Sequence, residues 1–509
     1  MERSSGILLH PTSLPGKFGI GTLGKEARSF IDFLVRAKQR YWKILPLGPT
    51  GFADSPYQCF SSNAGNPLLI DPEVLSGEGL LTRQELVEAQ LPEEDKVDFG
   101  KVISVKIPLL KKAGEAFRQK ATREQKEDYR EFLATNSVWL NDYALFMALK
   151  EHFGQRPWYL WEKPLKMRVP EALGPYREKL AGTIEFHKFI QYLFFRQWFS
   201  VRDYAHQNNI RIIGDIPLYV AHDSADVWSN PEIFMLDENK DPVAVGGVPP
   251  DYFSETGQLW GNPLFNWEKL EQDKFSWWIG RIRSNLLLYD LVRIDHFRGF
   301  AAYWAVPYGE KTAVRGEWIP APGKALFKTI KKELGDIPVI AEDLGVITED
   351  VEELRDSYGL PGMKILQFAF DPEEAYDYLP HNYPGNCIVY TGTHDNDTVV
   401  GWYRQEKKAD REYVLDYMHT DGHEINWDFI RLAWASVARV AIVPLQDLLG
   451  LGTEARMNLP GTTVSNWIWR ASRSNFPPEL AKRLAHLTQL YGRTRETAAG
   501  TGKKTVKVN

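Results

Sequence analysis

The chain has 509 residues, of which 43% are hydrophobic and 25% charged, with a formal net charge of -6; this excludes a disordered chain and argues against nucleic acid as a partner. Its 2 cysteines, Cys59 and Cys387, lie far apart, which excludes a disulfide-stapled scaffold and fits a reducing cytoplasm. No run reaches the roughly 20 uninterrupted apolar residues of a membrane span, and the closest, 277–294, is broken by Arg281, Arg283, Asp290 and Arg293.

In chain order, the first five residues leave no room for a leader before an apolar run at 6–10, so the chain is expected to stay where it is made. That run is the first candidate strand. An amphipathic segment at 25–40 predicts a helix, and a second strand is expected at 41–47. Residues 71–183 are rich in Glu, Lys and Leu at helical spacing and predict a helical insertion, followed by a helix over 186–208 and a third strand at 210–220. The segment 221–278 is rich in Pro, Gly and aromatics, so a loop-rich insertion is expected there. Further strands are predicted at 288–296, 337–343, 363–370, 387–395 and 438–447, with helices over 322–332, 347–358 and 427–440 between them. Eight such strands alternating with helices predict an α/β fold, a single (β/α)8 TIM barrel spanning 1–509 and carrying both insertions on its βα loops. No alternating strands follow the eighth, so no separate C-terminal β domain is expected, and the Gly-, Thr- and Lys-rich stretch 492–509 reads as a flexible tail.

Aromatic residues make up 13% of the chain, with 17 Trp, 22 Tyr and 26 Phe, which suits stacking on sugar rings. Four predicted strands end in carboxylates: Asp215 in Gly-Asp-Ile-Pro, Asp295 in Arg-Ile-Asp-His-Phe-Arg-Gly, Glu342 in Ala-Glu-Asp-Leu-Gly and Asp395 in Thr-His-Asp-Asn-Asp. In a barrel these ends converge on one mouth. Clustered carboxylates suit divalent metal binding, aspartyl-type acid catalysis or glycosidic cleavage. Arg293 and Arg298 flank Asp295, and His296 and His394 stand in the same clusters; positive groups there oppose a metal and favour glycoside chemistry with no cofactor. Spacing alone leaves Glu342 and Asp343 as alternatives, and likewise Asp395 and Asp397.

Several motifs occur together: Gly-Ile-Leu-Leu-His-Pro-Thr-Ser-Leu-Pro at 6–15, Ser-Pro-Tyr-Gln at 55–58, Ala-Gly-Asn-Pro at 64–67, Gly-Val-Pro-Pro-Asp-Tyr-Phe-Ser-Glu-Thr-Gly-Gln-Leu-Trp-Gly at 247–261, and the carboxylate motifs above. Together they closely resemble the 4-α-glucanotransferases, also called amylomaltases or disproportionating enzymes. The resemblance implies transfer of α-1,4-glucan segments by a retaining double displacement, with Asp295 as nucleophile, Glu342 as acid/base and Asp395 as the third carboxylate, which binds sugar hydroxyls. It further implies that Arg293 orients Asp295, that His394 and Asp215 hold the donor sugar, and that Tyr57, Asp251, Gln258, Trp260 and Asn466 line the glucan groove. Leu259 stands where the family commonly carries a basic residue. A hydrolase of the α-amylase type shares the acid triad and is the alternative, but it usually carries further strands after the barrel.

Overall fold

The structure is a computed structural model that describes residues 1–250, 254–345, 347–370 and 375–494. Eight parallel strands overlap the predicted apolar runs, two of them starting one or two residues earlier: β1 (Ser4–Leu8), β2 (Tyr41–Lys43), β3 (Arg211–Ile216), β4 (Leu291–Ile294), β5 (Val339–Ala341), β6 (Gly362–Ile365), β7 (Cys387–Tyr390) and β8 (Val440–Pro444). Their order in the sheet is β6-β7-β8-β1-β2-β3-β4-β5. β5 and β6 meet through the Ala341 N–H, which donates to Pro361 O at 2.9 Å, and this contact brings the two edges of the sheet together as a barrel. All strands but β1 are shorter than their apolar runs, because the last residues of each run leave the ladder and rise into the loops of the mouth.

Alternation across the strands decides what each face holds. Tyr41, Ile213, Leu291, Ile340, Ile365, Ile388 and Ile442 share the apolar cluster inside the barrel. Trp42, Ile212 and Val292 point outward into the helical layer, where Trp42 meets Phe30 of the helix Lys25–Arg36 edge-on at 5.2 Å. Full burial of each large apolar side chain stabilises the fold by about 1.5–3 kcal/mol. Two residues further along three neighbouring strands the inward positions turn charged: Lys43 follows Tyr41, Asp215 follows Ile213 and Arg293 follows Leu291. The barrel is therefore apolar in its middle and ionic at its C-terminal end. No helix among the described residues is long and apolar enough to cross a membrane.

Between β2 and β3 run the long helices Phe99–Lys120, Arg123–Thr135, Ser137–His152 and Ala181–Gln207. The second starts on a capping box between Thr122 and Gln125. The segment after β3 departs from its loop-dominated expectation. Ala244–Val248 and Gln258–Pro263 pair antiparallel, and Ala244–Val248 pairs in turn with Ala302–Pro307, which pairs with Glu317–Pro320. Two of these strands follow β3 and two follow β4, so the sheet stitches two loops of the mouth together. Gly246 and Gly247 weaken the local β signal, and one of the two partners of Ala244–Val248 lies more than fifty positions away. The two inserted segments also grip each other. Lys166 pairs with Asp241 at 3.0 Å, and the Arg168 guanidinium lies 4.3 Å from the centre of the Trp228 ring.

The expected flexible tail starts too early at 492. Arg493 is buried and donates to Ser4 O at 2.8 Å, Trp434 O at 2.8 Å and Ala438 O at 3.1 Å, fastening the chain to β1 and to the end of the helix Ile425–Ala435. Residues 495–509 of that expectation lie outside the described residues. After β8 the described residues form helices and loops and no further strand.

Candidate active site

Parallel register sets the first layer of the site. Asp215 stands opposite Arg293 on adjacent strands, and Lys43 stands opposite Ile213, which shares its strand face with Asp215. The Asp215 Oδ2 atom accepts from Lys43 Nζ at 2.8 Å, Arg293 Nε at 2.9 Å and the Tyr57 hydroxyl at 3.1 Å. A second nitrogen of Arg293, Nη2, donates to Asp295 Oδ1 at 2.7 Å and to the Tyr57 hydroxyl at 3.2 Å. Burial alone would raise Asp215, but the Arg293 and Lys43 charges hold it below the ordinary carboxylate range.

Glu342 follows β5 and faces the same space. Its Oε2 accepts the His296 N–H at 2.6 Å and its Oε1 the Leu344 N–H at 3.2 Å. His296 presents that N–H from a left-handed backbone at φ 53°, a conformation that costs a non-glycine residue of order 1 kcal/mol and that recurs at functional sites. Burial pushes the Glu342 carboxyl up to about 8, and the nearby Asp295 charge adds to the rise. Burial also raises Asp295, to about 6, while Arg293 pulls it down. In the pair, the last proton therefore rests on Glu342. A carboxylate held ionised beside a carboxyl that keeps its proton is the pairing that acid and nucleophile chemistry at a glycosidic bond requires.

These groups open into a cleft lined among others by Tyr57, Gln258, Trp260, Asp295, Glu342 and Asp395. Asp395 is 43% exposed at its side chain, accepts from Asn458 Nδ2 at 2.6 Å and lies 3.3 Å from His394 Nε2. Trp260 stands on the strand Gln258–Pro263, edge-on to His296 at 4.8 Å, and its indole N–H donates to Gln258 Oε1 at 3.2 Å. Leu259, on the same strand, is packed beside Val245, Val306 and Trp304.

Three expected sugar contacts stand differently. The Asp215 side chain is fully buried, and its bonded oxygen is committed to Lys43, Arg293 and Tyr57, so it does not line the cleft. His394 is buried and stacked on Tyr57 at 5.2 Å, and burial lowers its pKa to about 4, leaving a neutral imidazole. Asn466 spends its amide inside its own loop, accepting from Leu459 N at 3.0 Å and donating to Thr462 O at 2.9 Å, which braces the cleft-lining stretch 460–463. Asp251 lies outside the described residues.

Of the alternative acids, Glu342 and Asp395 line the cleft. Asp343 turns away to accept from Arg355 and the Met363 N–H, each at 2.6 Å, and Asp397 accepts from Thr453 at 2.7 Å and Gln405 at 3.0 Å. Sequence reasoning missed Lys43 and Trp467. Lys43 is a lone charge inside the apolar run 41–47, on the strand face that turns into the barrel. Trp467 lines the cleft and packs on both Tyr57 and His394 at 5.8 Å, from a left-handed backbone that no local pattern announces.

Comparison with known proteins agrees with this geometry. A family model described as 4-alpha-glucanotransferase matches residues 9–475. A 4-alpha-glucanotransferase of Synechocystis sp. is 52% identical over 97% of this chain and 98% of its own length, and one of Thermus thermophilus is 50% identical over 96% and 99%. Among solved structures, an amylomaltase from Streptococcus agalactiae in complex with acarbose superposes with a TM-score of 0.94 at 43% identity, over 97% of this chain and all of its own. With a (β/α)8 barrel, an unequal carboxylate pair at its mouth and relatives of this length and identity, the chain belongs to the 4-alpha-glucanotransferase family and is an enzyme of that class.

Proposed function

We propose that this cleft transfers a segment of an α-1,4-glucan to the 4-hydroxyl of another glucan or of glucose, through a covalent glucosyl-enzyme on Asp295. The observation that carries the reading is the unequal pair: Asp295 held by Arg293 at 2.7 Å, and Glu342 keeping its proton to about 8. In the first displacement Glu342 gives its proton to the leaving glycosidic oxygen while an Asp295 oxygen bonds to C1 and the old C1–O bond breaks. In the second, Glu342 takes the proton of the acceptor hydroxyl, whose oxygen displaces Asp295 from C1 and restores the α configuration. Asp395, half-exposed and held by Asn458, suits a sugar hydroxyl as an acceptor. Arg293 orients the nucleophile. Asp215 and His394 act one layer back, through Arg293 and Tyr57. Gln258 and Trp260 line the cleft, and Asn466 braces the stretch 460–463 that lines it as well.

The domain reading follows from this. The segments 71–183 and 221–278 are insertions on one catalytic barrel, and residues of the second line the mouth, where they favour an acceptor sugar over water. The complex of the S. agalactiae amylomaltase with acarbose supports a sugar cleft here. Maltooligosaccharides and starch or glycogen chains are the substrates we infer. Two free cysteines, Cys59 and Cys387, support work in the cytoplasm.

Incubation with pure maltotriose tests the function. Glucose and a ladder of longer maltodextrins should form while total reducing ends stay nearly constant, since each transfer makes one bond for each bond broken. In Trp260→Ala the ladder should slow and reducing ends should climb, because an indole stacked on an acceptor ring is worth roughly 1 kcal/mol of orientation and helps exclude water. Reducing ends rising in step with bonds broken in the unaltered enzyme would overturn the transferase reading. Equal losses of transfer and hydrolysis in the variant would move Trp260 to the donor side.

A further inference from the structure

Beneath the cleft, four charged groups from three neighbouring strand ends form an unbroken chain: Lys43, Asp215, Arg293 and Asp295, joined at 2.8, 2.9 and 2.7 Å. Lys43 also donates to Gly214 O at 3.0 Å, and its side chain is 2% exposed, so it lies out of reach of a sugar and cannot serve as a substrate contact. We propose that Lys43 is a positioning residue for glucan transfer, which fixes Asp215 so that Arg293 is aimed at Asp295 and supplies the charge that lets Asp295 stay ionised. The proposal rests on the reading of Asp295 as nucleophile.

Charge counting carries the argument. With Lys43 protonated, the chain holds two positive and two negative charges, so a buried cluster that would be expensive to leave unbalanced is neutral. The other titratable groups facing it do not alter that count. Burial lowers His10 to about 3 and His394 to about 4, and it raises Tyr57, Tyr289 and Tyr390, so all five remain neutral near pH 7. Glu342 carries a proton there, and Asp395 stands outside the buried cluster, 43% exposed at the cleft. Without Lys43, the single Arg293 faces two buried carboxylates, and a proton must make up the missing charge. A proton on Asp295 removes the nucleophile. A proton on Asp215 weakens the bond that holds the guanidinium in line. Either way the inactive, protonated form extends to higher pH.

The test is the pH dependence of kcat/KM with maltotriose for Lys43→Gln, Lys43→Met and Lys43→Arg. The Gln variant keeps a donor for Asp215 without the charge, Met keeps only the bulk, and Arg keeps the charge. Lys43→Gln and Lys43→Met should move the acidic limb upward by about one pH unit, so that the rate one unit below the original limb falls about tenfold. The plateau of the Gln variant should stay within a few-fold, and Lys43→Arg should leave the limb where it is. Should Lys43→Met fold poorly, the Gln variant, checked by its thermal midpoint, carries the test. An acidic limb that stays put in Lys43→Gln, with activity lowered equally at every pH, would make Lys43 a packing residue and overturn the proposal; so would a limb that moves equally in the Arg variant. Turnover retained in Asp295→Asn would instead overturn the underlying assignment of the nucleophile, whatever Lys43 does.

Discussion

At Asp295 the Arg293 guanidinium lies 2.7 Å from a carboxylate oxygen, whereas Glu342 meets two backbone N–H groups, those of His296 and Leu344. A fixed charge offsets burial better than two amide dipoles do, and this separates two otherwise similar acids. Since the proposed nucleophile must be ionised and the proposed acid protonated, kcat/KM should be bell-shaped, rising near pH 6 with Asp295 and falling near pH 8 with Glu342. Glu342→Gln should remove the alkaline limb and slow natural glucans by about a hundredfold or more, yet spare glycosylation by a donor whose leaving group needs no proton. Steady-state rates from pH 4 to 10 with maltotriose and an activated donor would check both, and an alkaline limb surviving in Glu342→Gln would assign it to another group. The positions of the acids were legible, because a strand end in a barrel has one place to go. Which of two adjacent acids faces the cleft was not, since Glu342 and Asp343 differ only in what awaits on each side: open space for one, Arg355 for the other. The deep placement of Asp215 was equally hidden, as it depends on a lysine from a strand 172 residues away.

Among the elements, the strands of the barrel were readable from short β-branched runs, whereas the four-stranded sheet beside the mouth was not. Its strands are rich in Gly, Pro and Trp, and the pairing that joins its two halves, Ala244–Val248 with Ala302–Pro307, is distant in sequence. The sheet matters because Gln258 and Trp260 ride on one of its strands. Gly247 faces that strand from its neighbour: a Cβ added there would lie 2.4 Å from Gln258 O, which is backbone and has little room to yield. Gly247→Ala should therefore push the Gln258–Pro263 strand away from Ala244–Val248 and displace Trp260, lowering transfer about tenfold while the barrel's thermal midpoint falls only slightly. Chain-length ladders from maltotriose and a melting curve measure the two effects. A large drop in midpoint with the transfer to hydrolysis ratio unchanged would show that the sheet supports the fold rather than the acceptor wall.

Across the whole molecule, the two ends of the described chain are fastened to the same helix end. Arg3 and Arg493 both donate to the last carbonyls of the helix Ile425–Ala435 and the turn after it, with Arg3 reaching Trp434 O at 2.9 Å and Ser436 O at 2.7 Å. Arg493→Ala would strand several buried carbonyls and leave a cavity, and should cost about 3 kcal/mol, read as a lower denaturant midpoint with native kcat below the transition. A midpoint unchanged within error would mean that water replaces the guanidinium without penalty. Composition concealed this contact, since one arginine in a polar stretch reads as solvated. Arg493 also decides where a tether would begin. Its bond to Ser4 O sets it where the strands start, while the cleft opens where they finish. Enzyme coupled to a bead or film through an attachment beyond Arg493 should therefore present its mouth outward, and should act on long insoluble chains nearly as well as it does free in solution.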